Sequence, residues 1–216
     1  MAALFQRRAN QTIRRGLLFL LLVIVGCPTA LMVYVRTPYV TGEGRTPDQP
    51  IEFDHRHHTR DDGIECRYCH HEVERSRYAG MPSTSLCMGC HSQIWNDSPQ
   101  LEPLRRSYYS GVPVRWNRVH MLPEFAYFDH SIHVAKGVGC VTCHGRVDQM
   151  PEVRQVSSLQ MRWCIDCHRD PAPHLRPPEE VTNMEWQPDG DPRQVGARIA
   201  ESLGVESLTY CSACHR

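Results

Sequence analysis

Ten cysteines and five histidines recur in one arrangement: Cys66-Arg-Tyr-Cys69-His70, Cys87-Met-Gly-Cys90-His91, Cys140-Val-Thr-Cys143-His144, Cys164-Ile-Asp-Cys167-His168 and Cys211-Ser-Ala-Cys214-His215. Two thiols three positions apart can form thioethers to the vinyl groups of one porphyrin, and the histidine that follows can bind its iron from one side. The spacing predicts five covalently bound haem c groups. Cys66, Cys69, Cys87, Cys90, Cys140, Cys143, Cys164, Cys167, Cys211 and Cys214 are the anchors, and His70, His91, His144, His168 and His215 the proximal iron ligands. Zinc held by CXXC pairs, or a disulfide framework, would leave the histidine after every pair unexplained.

Each iron also takes a sixth ligand or keeps an open face, and that choice separates electron carriers from catalysts. Eight of the 13 histidines remain for it. His55 and His58 are spaced i,i+3, as are His130 and His133, so one helical turn presents each pair on one side and can serve two neighbouring haems. All four are expected as distal ligands, and His120, just upstream of the second pair, as the fifth. His57, His71 and His174 are expected not to ligate, although His71 directly follows His70. Met121 or Met161 in place of a histidine would raise the potential of one iron.

These residues sit in a repeat. Phe-Asp-His55-X-X-His58 followed by two CXXCH motifs is answered by Phe-Asp-His130-X-X-His133 followed by two more. The repeat divides the chain into a first two-haem module (51–97), a connector (98–127), a second two-haem module (128–170) and a C-terminal segment with the fifth motif (171–216). In the connector a short helix from Pro103 to Tyr109, stopped by Gly111, is expected; 170–178, with four prolines, should run extended. Asp191 should cap, Pro192 start and Gly204 end a helix with Val195, Ile199 and Leu203 on one face. Short helices around each CXXCH, long loops and almost no sheet complete the fold class: mostly irregular with short α-helices, organised around five haems.

Upstream, residues 16–35 carry no charge and are bounded by Arg14-Arg15 and Arg36, so a transmembrane helix is expected at 16–36. Residues 1–15 form the N-terminal segment before it and 37–50 a linker after it. Arg7, Arg8, Arg14 and Arg15 place the N-terminus in the cytoplasm and the haem domain in the periplasm, with one pass through the inner membrane. Cys27 lies in a small-residue stretch that a lipoprotein cleavage site could use, but the apolar run continues beyond it, favouring an uncleaved helix. With 24 basic and 24 acidic side chains, the chain offers no net field towards nucleic acid.

Phe-Asp-His-X-X-His before CXXCH resembles the class III, cytochrome c3/c7-like pattern. The run from Cys66-Arg-Tyr-Cys-His through Leu-Cys-Met-Gly-Cys-His, Val-His-Met-Leu-Pro-Glu-Phe, Gly-Cys-Val-Thr-Cys-His-Gly and Trp-Cys-Ile-Asp-Cys-His-Arg is similar to the pentahaem, membrane-anchored subunit of bacterial alternative complex III. That resemblance implies a complex that oxidises quinol and passes electrons to a periplasmic cytochrome or a terminal oxidase. Its implied partners are an iron–sulfur, molybdopterin-enzyme-like protein, polytopic quinol-binding subunits and a mono-haem cytochrome c. It also implies His55, His58, His120, His130 and His133 as distal ligands. The chain itself is then an electron wire with no catalytic residue. A single-helix quinol dehydrogenase and a multihaem reductase are the competing readings; the first lacks an ionisable residue in its span and the second needs an open iron.

Overall fold

The computed structural model describes residues 7–215; residues 1–6 of the N-terminal segment and Arg216, the last of the C-terminal segment, lie outside them. The chain divides into two compact units, residues 1–42 and 43–216.

The first unit is α1 (Arg7–Tyr34) followed by the single turn α2 (Pro38–Thr41). At 28 residues, α1 is about 42 Å long, enough to cross a hydrocarbon core of about 30 Å. Its apolar window has no part buried against protein. Arg8, Arg14 and Arg15 are exposed at its first turns, and Cys27 is exposed on its surface. The helix begins before the uncharged run because nothing in 7–15 breaks it. The linker is not wholly irregular as expected: Pro38 presets the backbone for the first position of α2, and Gly42, at φ +74°, closes it.

The second unit holds α3 (Cys66–Cys69), α4 (Thr84–His91), α5 (Glu102–Ser110), α6 (His130–Ala135), α7 (Cys140–His144), α8 (Met161–Arg169), α9 (Pro192–Leu203) and α10 (Cys211–Cys214). Among the described residues there is no strand, only an isolated bridge between Val138 and Leu175. A helical turn therefore surrounds every CXXCH. The turn after Phe-Asp differs between the repeats: Arg56–Asp61 is a π-helix and α6 an α-helix.

Protein core is thin. Its apolar cluster is Ile51, Met88, Leu101 and Leu104, where α4 packs on α5 with Cys87 against the cluster. Gly111 ends α5 at φ +71°, as its position after the predicted helix requires. The 170–178 stretch departs from the expected extended coil, because Pro171 and Pro177 open 3₁₀ turns at Ala172–His174 and Pro178–Glu180. Prolines that forbid a long helix fit the first residue of a short one. The first of these turns packs on α9. Asp191 caps α9 by accepting from the Arg193 and Gln194 N–H groups at 2.8 and 3.1 Å, and Gly204 ends it. Val195, Ile199 and Leu203 are half-buried, but the contact centres on the buried Gly196, where a Cβ would overlap the Ala172 carbonyl. A glycine inside a helix costs about 1 kcal/mol in propensity, and here close approach of two backbones is what it permits.

Candidate haem-binding sites

The Phe-Asp-His-X-X-His turns explain themselves residue by residue. Phe53 lies edge-on to His55 at 4.7 Å between ring centres and stacks on His58 at 4.4 Å; Phe128 repeats this with His130 at 4.7 Å and His133 at 4.6 Å. One phenyl thus steadies two imidazoles. The aspartate works with both its carboxylate and its carbonyl. Asp129 Oδ1 accepts from Ser131 N at 2.8 Å and caps α6, and the Asp129 carbonyl accepts from His133 Nδ1 at 2.6 Å. In the first copy Asp54 Oδ1 accepts from Arg56 N, and the Asp54 carbonyl accepts from His58 Nδ1 at 3.0 Å. Sequence reasoning found the histidines and missed these two supports, although the duplication of Phe and Asp was their signal.

Backbone carbonyls fix more imidazoles. His70 Nδ1 donates to Gly80 O at 2.8 Å, His91 Nδ1 to Ile94 O at 3.1 Å, His130 Nδ1 to Arg77 O at 2.8 Å and His215 Nδ1 to Phe125 O at 3.0 Å. A carbonyl can only accept, so each of these rings carries its proton on Nδ1 and keeps a lone pair on Nε2, the form that binds a metal.

The rings also face one another at the right separation. Two imidazoles on opposite sides of one metal ion, each bonded at about 2 Å through Nε2, have ring centres roughly 6 Å apart. His58 and His91 stand at 6.1 Å, His130 and His144 at 6.3 Å, and His133 and His168 at 6.0 Å. Each pair joins an expected distal histidine to a proximal one. Burial lowers His55 to about 4, and the nearby His70 adds to the fall. The His120 ring meets His144 at 4.4 Å, closer than two ligands of one ion stand, and its Nε2 is buried without a hydrogen-bond partner. His215 is approached instead by Phe125, so the loop of residues 120–127 reaches from the third motif to the fifth.

The other imidazoles and thioethers face different surroundings. His57 lies near Asp61 and Asp62 at 3.7 and 3.6 Å and stacks on Trp95, His71 lies near Glu72 at 3.5 Å, and His174 is exposed in its 3₁₀ turn. Met121 and Met161 are exposed.

Electrostatics favour the neutral form at several buried motif groups. Burial lowers His144 to about 3 and pushes the Cys66 and Cys143 thiols up to about 11 and about 12. Surroundings that resist thiolate and imidazolium suit thioether sulfur and neutral ligand nitrogen. Among the described residues no three His, Cys, Asp or Glu side chains gather as a zinc site would require. The donor set fits a porphyrin iron, held by two cysteines, the adjacent histidine and one imidazole brought from elsewhere in the chain.

Residues 126–216 match the family of cytochrome c7 and related cytochrome c. This part of the chain is similar to c7-like multihaem cytochromes. Covalently bound haem c is therefore its cofactor, and electron transport its field. The chain is also similar to the menaquinone reductase multiheme cytochrome c subunit of Nitratidesulfovibrio vulgaris (strain Hildenborough), at 33% identity over 137 residues, 63% of this chain. It spans 59% of the length of that curated relative.

Proposed function

We propose that this chain is a membrane-anchored pentahaem cytochrome c, the electron wire of a quinol-oxidising respiratory complex of the alternative complex III type. Haem iron supplies a one-electron ferric/ferrous couple. The protein's part is to anchor each porphyrin through its CXXC pair, hold the adjacent histidine, and bring His55, His58, His120, His130 and His133 to the opposite faces. The observation that carries this reading is the set of three imidazole pairs at 6.0–6.3 Å, because an iron closed on both sides conducts and does not bind substrate. The expected modules, 51–97 and 128–170 with a fifth haem in 171–216, agree with the repeated Phe-Asp turns.

α1 anchors the haem unit to the cytoplasmic membrane, with the N-terminus cytoplasmic and the haems periplasmic. The proposed partners are polytopic quinol-binding subunits, an iron–sulfur, molybdopterin-like protein and a mono-haem cytochrome c, which delivers onward to a terminal oxidase. A second reading keeps the wire and reverses the flow, since the relative is named a menaquinone reductase subunit.

Spectroscopy of the purified, haem-loaded protein tests the wire. The expected ferric spectrum is wholly low-spin, and the ferrous form is expected to take up carbon monoxide only as slowly as a distal imidazole leaves its iron. A high-spin signal of one haem equivalent would make an enzyme of it. Direction follows from partner composition and quinol:cytochrome activity of the intact complex, and quinone reduction as the dominant reaction would favour the second reading.

A further inference from the structure

We infer that the five attachment motifs form a single row in the order 87–91, 66–70, 140–144, 164–168, 211–215, with 87–91 and 211–215 as its two ends. The inference rests on the pentahaem reading and adds the route through it.

Each step of the row has its own contact. His55 and His58 share one turn and one phenyl, Phe53; His58 faces His91, and the His58 carbonyl accepts from Ile64 N at 2.9 Å two residues before Cys66, which joins 87–91 to 66–70.

Three contacts join 66–70 to 140–144. The π-helix Arg56–Asp61 packs on the 3₁₀ turn Val147–Gln149 that follows α7. Arg67 Nη2 donates to Pro178 O at 3.4 Å and Cys140 N donates to Val181 O at 2.9 Å, so one short stretch, 178–181, holds both motifs. His130, which faces His144, takes its tautomer from the Arg77 carbonyl of the first module.

α6 then joins 140–144 to 164–168, because His130 faces His144 and His133 faces His168 from one turn. The last step is shorter still: Ser207, four residues before Cys211, donates through Oγ to the His168 carbonyl at 2.8 Å.

The ends identify themselves by exposure. Of the ten motif cysteines, Cys90 and Cys211 are exposed and the other eight are half-buried. Around 87–91, α4 packs on α5 and Ile51, ordinary protein core. An electron entering at either exposed end must therefore cross 140–144 at the centre, and the N-terminal pair of motifs is traversed against chain order.

Cryo-electron microscopy of the haem-loaded full chain in its membrane complex tests this, since each porphyrin can be traced to its own cysteines. The expected result is five irons with the 66–70 iron between those of 87–91 and 140–144, and the 87–91 iron with a single near neighbour. Five irons with 87–91 beside 140–144, or with 211–215 nearer to 140–144 than to 164–168, would overturn the row and leave the wire intact. Fewer than five irons would overturn the pentahaem reading and the row together.

Discussion

Removing one phenyl should loosen two haems at once. Phe128 touches His130 and His133 at 4.7 and 4.6 Å between ring centres, and these imidazoles face different proximal histidines. Each aromatic contact is worth about 0.5–1.5 kcal/mol. In Phe128→Ala the carbonyl bonds to Nδ1 remain, at 2.8 Å for His130 and 2.6 Å for His133, so the imidazoles stay in place but less firmly. If a contact's full worth falls on the iron–imidazole bond, the fraction of time each distal face is open rises about 2- to 13-fold, at 1.36 kcal/mol per tenfold. Carbon monoxide trapping of the reduced protein reads this directly, because the gas binds only when the distal imidazole has left. The expected outcome is faster adduct formation on two haem equivalents in Phe128→Ala and on the other two of the repeat in Phe53→Ala, with Phe128→Tyr close to the parent. Acceleration at one haem only would refute the shared support. So would acceleration at all five, which would mean general loosening of the fold.

Three further outcomes check other links. His120→Ala should convert one haem equivalent to high-spin, because the buried, partnerless Nε2 has no role in hydrogen bonding to lose; an unchanged ferric spectrum removes His120 from the ligand set. Gly196→Ala should lower Tm by up to about 8 °C, since overlap with the Ala172 carbonyl costs about 1–3 kcal/mol against a gain in helix propensity of about 1 kcal/mol. A rise in Tm would mean that α9 does not pack so closely. Leu22→Asp, in the middle of α1, should cost about 2.5–3.5 kcal/mol of membrane insertion, a fall of roughly two orders of magnitude seen by fractionation. Retention in the membrane fraction would assign anchoring to another part of the chain.

Much of the site was legible in advance because its chemistry is local. A CXXCH pentapeptide specifies porphyrin attachment and one axial ligand within five residues, and a capped helix such as 192–203 is bounded by its own Asp191, Pro192 and Gly204. The i,i+3 histidines were legible for the same reason, since one turn of backbone places both. Less legible were the supports. Nothing in Phe53 or Asp54 alone announces that a ring and a carbonyl will hold His58, and the carbonyls of Gly80, Ile94, Arg77 and Phe125 leave no mark in the sequence. Helical turns in proline-rich 170–178 were missed because proline excludes long helices while favouring the first residue of short ones.

The sequence by itself determined how many CXXCH motifs there are, which residues are proposed to tie each porphyrin, and that an apolar helix precedes them, because motif spacing and hydrophobic length are properties of neighbouring residues. Only the tertiary structure decided which imidazole faces which motif and which motifs touch. Those partners stand tens of residues apart, as with His58 and His91 or Arg67 and Pro178, and only folding brings them within a ring's width or a hydrogen bond.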